Sequence, residues 1–319
     1  MTESHRSQFA EDIMSGLSAQ PKYLLSKYLY DSAGSRIFSD IMNIPEYYLT
    51  DSEREIFTAS KDSMYREFFK DGQDIDIIEL GSGDGMKTKI LLDYFLEKDA
   101  SFKYIPVDIC EKTLRCLVDS LEDVFPSLAV EERIGDYFKV IRDLNEHDTN
   151  RKVIMFLGSN IGNYTGEQTD RFLTQFRDVM GERDKLLIGF DMIKDPNVID
   201  RAYNDPGGRT GDFNLNLLAR INRELDADFN LDQFVHYENY DPLTGTAKSY
   251  LVSTVEQTVF VKMLDTTFKF GEWETVYVEM SQKYSPDMIR GYAAENGFKI
   301  VAEFYDSRRY FVDSVWQID

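Results

Sequence analysis

A chain of 319 residues has room for one large domain or two modest ones. Its 36 Lys and Arg against 57 Asp and Glu leave a formal net charge of −21. Such a surface repels polyanions, so nucleic acid is not an expected partner; the acidity serves solubility, and its field also attracts a small cation. Two cysteines, Cys110 and Cys116, sit too close together to staple distant parts, and no apolar run is long enough to span a bilayer. With an acidic, polar N-terminus that does not read as a targeting signal, this predicts a cytoplasmic protein with no bound metal and no membrane partner.

In chain order, residues 8–31 carry apolar residues at helical spacing, and short helices broken at Pro45 follow. "DIDIIEL" is a buried-strand pattern and "KTKILLDYFLEKD" a helical one. "KYIPVDI" is a second strand, followed by the helical "EKTLRCLVDSLEDVF". A third strand ends at "ERIGD", a fourth is "KVIMFLGSNIGN", and a fifth, "DKLLIGFDMI", follows the helical "QTDRFLTQFRDVM". From residue 195 the texture changes. "DPNVIDRAYND", "GDFNLNLLARINRELDADF" and "LDQFVHYENYD" read as amphipathic helices, and "KSYLVSTVEQTVFV", "TTFKF" and "TVYVEMSQKYS" as strands. "KIVAEFYDS" and "YFVDSVWQI" are two last strands that close the sheet. Alternating strands and helices predict an α/β fold, a doubly wound, mostly parallel sheet with ligands beyond the carboxyl ends of its strands. The expected division is 56–194 plus 284–319 as the sheet-bearing core, and 1–55 plus 195–283 as a second, discontinuous domain.

"ELGSGDGMK" carries Glu79, Gly81, Gly83 and Gly85 after the first strand. A dinucleotide fingerprint would put a glycine at position 86, where Met86 stands, and the spacing excludes a P-loop. Alone, the motif is a tight strand-to-helix turn. Asp108, ending the second strand, is placed to accept both hydroxyls of a ribose. Asp136, after the third, can accept from an adenine amine with Tyr137 as an apolar wall. Three strand ends of this chemistry without a phosphate cradle suit S-adenosylmethionine better than a dinucleotide. Lys87, in the first turn of the following helix, can answer a carboxylate.

At "ELGSGDGMKT", "IPVDI", "GDYF" and "FLGSNIGN" the sequence resembles the histidine-specific Nα-methyltransferases of ergothioneine biosynthesis. "NIPEYYLTDSE", "DMIKDPNVIDRAYND", "NLLARINRELDADFNLDQF" and "VEMSQKY" agree, so the resemblance runs from about residue 10 to the C-terminus. It implies a Rossmann-like class I methyltransferase core, a second domain for histidine, and transfer of three methyl groups to the α-amine, giving hercynine (histidine betaine). Carried over motif by motif, the cofactor falls on Gly81, Ser82, Gly83, Lys87, Asp108, Asp136 and Tyr137. The substrate's amino and carboxylate end falls on Tyr47, Asn163 and Tyr203, and its imidazole on Glu279, Met280 and Ser281. Tyr30 and Phe38 line the same cavity. The resemblance also implies a monomer. Three places depart from the family pattern: the extra glycine of "GSGDGMK", Asn160 where threonine is common, and Ser249 where a methionine lies beside the imidazole.

The chemistry fits those assignments. A neutral imidazole offers one donor and one acceptor, and Glu279 and Ser281, two apart on a strand, point to one face and can answer both. A site that pairs both ring nitrogens rejects amino acids lacking them. No dedicated base is apparent; Tyr47 is the candidate proton acceptor. His5, His147 and His236 lack ligand spacing and are expected at the surface. Two alternatives stay open: methylation of another amino acid such as tyrosine, which Ser249 favours, and a non-catalytic protein that holds an adenosyl ligand or an amino acid.

Overall fold

The computed structural model describes residues 3–70, 72, 74–147 and 150–319. The chain divides into two compact units, Met1–Tyr48 with Lys194–Ser281, and Leu49–Ile193 with Gln282–Asp319. The breaks thus fall at 48/49, 193/194 and 281/282, where the sequence reading put them at 55/56, 194/195 and 283/284.

The chain begins in the first unit with α1 (Glu3–Ser18), which turns Phe9, Ile13 and Leu17 into the core at helical spacing. The helix expected through residue 31 stops there. Pro21 has no N–H to donate and disfavours helix at the residue before it, and Lys22–Tyr23 then join a sheet as β1. In α2 (Ser32–Ile41) the Asp31 carboxylate caps the N-terminus, accepting from the N–H of Ala33 at 3.1 Å and of Gly34 at 2.7 Å. Pro45 separates it from α3 (Tyr48–Phe68), which leads into the second unit.

There the alternation runs as predicted: β2 (Ile75–Leu80), α4 (Thr88–Glu97), β3 (Phe102–Asp108) and α5 (Glu111–Val124). The third strand is reduced to two fragments, β4 (Ala129–Val130) and β5 (Arg133–Ile134), before α6 (Tyr137–His147). Then come β6 (Arg151–Phe156), α7 (Gly166–Val179) and β7 (Lys185–Asp191).

Back in the first unit lie α8 (Pro196–Tyr203), α9 (Arg209–Leu225), β8 (Phe234–Asp241), β9 (Thr246–Ser253), β10 (Gln257–Val261), β11 (Thr266–Phe270) and β12 (Thr275–Gln282). β8 corrects the helix expected at "LDQFVHYENYD". Its inward set is Phe234, His236, Glu238 and Tyr240, while Val235 and Tyr237 face out. The period is therefore two, hidden because three of the four inward residues carry polar groups. The chain finishes in the second unit with α10 (Pro286–Glu295), β13 (Phe298–Tyr305) and β14 (Phe311–Ile318).

The second unit is one sheet in the order β13-β14-β7-β6-β2-β3-β4, with β5 also on β3. β2, β3, β6 and β7 run parallel; β14 is antiparallel to β7 and β13 to β14. This is the doubly wound, mostly parallel α/β sheet the alternation predicted. The chain moves from β2 outward through β3, then returns to the far side of β2 at β6, so the topological switch lies between β2 and β6. Ligands of such sheets bind at that crevice. Ile78, Ile105, Ile154 and Ile188 fill the core against Ile141, Phe172 and Phe176.

The first unit carries a four-stranded sheet, β1-β12-β9-β8, and a β10–β11 hairpin. Leu251, Val276 and Val278 of the sheet pack with Phe213, Leu217 and Ile221 of α9 in one core.

Candidate functional site

At the carboxyl edge of the second unit's sheet, two glycine loops meet across the switch point. Gly81, Gly83 and Gly85 all have positive φ, of 71°, 55° and 63°, which side chains rarely adopt. A Cβ on Gly81 would stand 3.0 Å from the Tyr137 hydroxyl and 3.7 Å from Nδ2 of Asn160. A Cβ on Gly158, in the loop after β6, would stand 3.6 Å from Lys87 Nζ and 3.9 Å from the same Asn160 nitrogen. The turn after β2, the loop after β6, the head of α4 and the start of α6 therefore form one cradle. Ser82, buried in the turn, has a hydroxyl with no hydrogen-bond partner among the described residues.

The polar groups of this cradle are two carboxylates, a phenol and an ammonium. Asp108 accepts from the N–H of Cys110 at 2.8 Å and of Gly83 at 3.4 Å. Burial pushes its carboxyl above the usual range against the pull of those backbone N–H groups, and further hydrogen-bond donors would relieve that cost. Asp136 spends one oxygen on the N–H of Lys139, capping α6, and stays exposed. Burial and the charge of Asp108 keep the Tyr137 phenol protonated. Lys87 donates to Glu53 of α3; burial alone would lower its pKa, but the Glu53 charge outweighs burial and raises it. As an ammonium it has two further N–H donors. Glu79, in contrast, faces inward. Thr88 donates to it at 2.8 Å and Tyr104 donates to its other oxygen, while burial pushes its carboxyl up to about 7.

In the first unit a second constellation forms. Tyr203, at the end of α8, shares a 2.9 Å hydrogen bond between its hydroxyl and that of Ser281 on β12. The Tyr47 ring lies 6.3 Å from that of Tyr203, and Phe38 lies 6.1 Å from Tyr47. Tyr30 completes the row 5.4 Å from Phe38, and Phe213 of α9 backs both at 5.3 and 5.6 Å. Five residues assigned from distant motifs (Tyr30, Phe38, Tyr47, Tyr203 and Ser281) thus form one connected group. Glu279 lies two residues before Ser281 and is half-buried, as is Met280. Burial, with the Glu279 charge beside it, pushes the Tyr277 phenol up to about 12. Asn163 belongs to the second unit, at the end of a helical turn, Asn160–Asn163, and is half-buried there.

Three residues had been read differently or overlooked. Ser249 donates to Glu238 across the β8–β9 ladder at 2.6 Å, both buried, so its hydroxyl is committed rather than loose. His236 is not a surface residue: it is half-buried, donates through Nε2 to the Tyr203 carbonyl at 3.1 Å, and burial lowers its pKa. It therefore braces the end of α8. Asn160, noted only as a departure from the family pattern, faces both glycine loops. Among the described residues no group of three His, Cys, Asp or Glu is arranged to hold a metal ion, and no helix is long and apolar enough to cross a membrane.

A doubly wound sheet with a glycine cradle at its switch point, lined by carboxylates and without a phosphate grip, defines a protein that takes up a nucleoside-type cofactor. The chain belongs to the histidine-specific, S-adenosylmethionine-dependent methyltransferase family, whose sequence model matches residues 9–318. It is 35% identical over 286 residues to a histidine N-alpha-methyltransferase of Mycobacterium tuberculosis, covering 90% of this chain and 87% of that one. It is 33% identical to the enzyme of that name in Mycolicibacterium smegmatis, over 90% of this chain and 88% of that one. Ergothioneine biosynthesis protein 1 of Schizosaccharomyces pombe is 29% identical, the match covering 88% of this chain and 37% of that longer protein. The chain is an S-adenosylmethionine-dependent methyltransferase, and its cofactor is S-adenosylmethionine.

Proposed function

We propose that this enzyme methylates the α-amine of L-histidine three times to hercynine, the first step towards ergothioneine. The observation that carries the reading is the connected group Tyr47–Tyr203–Ser281, with Glu279 two residues along the same strand. Ser281 and Glu279 answer the two ring nitrogens, and Tyr203 answers the carboxylate. The Tyr47 ring face attracts a cationic nitrogen by about 0.5–2 kcal/mol, which grows in importance as methyl groups accumulate and hydrogen-bond donors are lost. Its hydroxyl is the candidate proton acceptor.

On the cofactor side, Asp108 takes the ribose hydroxyls, Asp136 the adenine amine with Tyr137 alongside, and Lys87 the methionine carboxylate. Gly81, Ser82 and Gly83 allow the backbone to approach. Bound there, S-adenosylmethionine supplies an electrophilic methyl group on a sulfonium. Holding amine and methyl in line contributes about 7–11 kcal/mol of the acceleration. We read the enzyme as a cytoplasmic monomer with no nucleic-acid partner.

The test is incubation with S-adenosylmethionine and each amino acid in turn, followed by mass spectrometry. Histidine should gain one, two and then three methyl groups. A second reading, methylation of another amino acid such as tyrosine, draws on the extra polar pair Ser249–Glu238 in the first unit. It wins if tyrosine gains methyl groups faster than histidine.

A further inference from the structure

Glu53, on α3, is fully buried and touches three separate parts of the second unit. Its Oε2 accepts from Lys87 Nζ at the head of α4. Its Oε1 accepts from the Gly158 N–H, after β6, at 2.8 Å. It sits over Gly189 of β7, where a Cβ would come within 2.8 Å of Oε1, so only a glycine leaves room for it. Asp313 of β14 pairs with Gly189 across the sheet and is also fully buried. Its carboxyl lies beside that of Glu53. Burial and the neighbouring Glu53 charge raise the pKa of Asp313 well above the usual carboxylate range, and the Glu53 charge raises that of Lys87.

We propose that Glu53 is a positioning residue of the cofactor site. One carboxylate oxygen fixes the Lys87 ammonium and the other fixes the loop of Gly158, so both sides of the cradle are set before the cofactor arrives. A freely rotating lysine would lose side-chain entropy on binding; one already tethered has lost it. The tether uses one of three N–H groups and leaves two for the cofactor's carboxylate. Glu53 touches neither cofactor nor substrate in this scheme. It acts through Lys87 and the Gly158 loop, and the inference rests on the reading that puts S-adenosylmethionine in the glycine cradle.

The test is a double-mutant cycle read by calorimetric titration with S-adenosylmethionine and by steady-state kinetics with histidine. Glu53→Gln keeps the shape and an acceptor for the Gly158 N–H but removes the charge. It should weaken S-adenosylmethionine by about tenfold and leave the KM for histidine within about twofold. A loss of folded protein alone would scale kcat and leave both constants untouched. Because the Glu53 charge acts through Lys87, the double variant Glu53→Gln/Lys87→Met should bind the cofactor no worse than Lys87→Met alone. That double variant strands no buried charge, so it carries the test where Glu53→Gln itself fails to fold. Additive losses in the cycle, or unchanged affinity in Glu53→Gln, overturn the proposal. Asp108→Ala separates the two levels: unchanged cofactor affinity there overturns the placement of the cofactor, whereas a loss there with none in Glu53→Gln overturns only the role of Glu53.

Discussion

At the scale of single residues, buried carboxylates divide by what they face. Glu79 is surrounded by Tyr104, Thr88 and the sheet, and burial raises its pKa to about 7 from an ordinary 4.5. A carboxyl whose folded pKa lies above its unfolded one binds its proton more tightly when folded. Its contribution is complete below pH 4.5 and is lost as pH rises through 7, a change of about 3 kcal/mol. Glutamine cannot ionise. The stability of the parent minus that of Glu79→Gln should therefore fall by about that amount between about pH 5 and about pH 8 in urea melts. A difference independent of pH would show that Glu79 does not titrate there. Glu279 is argued from the other unit. If it accepts the ring N–H of histidine, Glu279→Ala should raise the KM for histidine about a hundredfold, the usual cost of stranding a polar partner. The affinity for S-adenosylmethionine should stay within a few-fold, and equal loss of both would remove Glu279 from the imidazole.

At the scale of elements, the sequence was most readable where side chains obey one period. β2, β6 and β7 are buried along their whole length and show as short, mostly apolar stretches bounded by turns, with only a few charged residues in each. Gly81 and Asp108 could be placed because they end such strands. β8 was misread because His236, Glu238 and Tyr240 take inward positions normally held by apolar residues. Glu53 was missed for a related reason: in "TDSERE" it is one acid among many on a charged helix, and only the fold shows that it is fully buried. Phe213 was likewise one apolar residue among several on α9 until Tyr30 and Phe38 were seen to pack on it. The local rule that does hold at α2 gives a prediction. Asp31 caps the helix through Ala33 and Gly34, accepts from Asn216 at 3.0 Å, and pairs with Arg223. Burial works to raise its pKa, but these donors and the Arg223 charge outweigh it and hold the carboxylate low. Asp31→Ala should cost about 1–2 kcal/mol. Because α2 carries Phe38, it should also weaken histidine more than cofactor; Asn, which keeps an acceptor, should restore most of both. Loss of stability with the histidine KM unmoved would detach α2 from the substrate.

At the scale of the whole molecule, the net charge of −21 becomes informative once the cofactor is known. S-adenosylmethionine carries a sulfonium, an ammonium and a carboxylate, one net positive charge, whereas histidine at neutral pH is close to neutral overall. A strongly acidic chain raises the local concentration of the cation and leaves the zwitterion nearly unaffected. Salt shortens the reach of that field, from about 30 Å at 0.01 M to about 3 Å at 1 M. The KM for S-adenosylmethionine should therefore rise several-fold across that range while the KM for histidine changes little. The demethylated product, S-adenosylhomocysteine, offers an internal control, since it keeps the same adenosine and amino-acid groups but has lost the sulfonium charge. Its inhibition constant should follow histidine rather than S-adenosylmethionine in its salt response. Equal salt slopes for the two adenosyl ligands would mean that the acidity acts on solubility alone, and that Asp108, Lys87 and their neighbours account for cofactor capture without help from the rest of the chain.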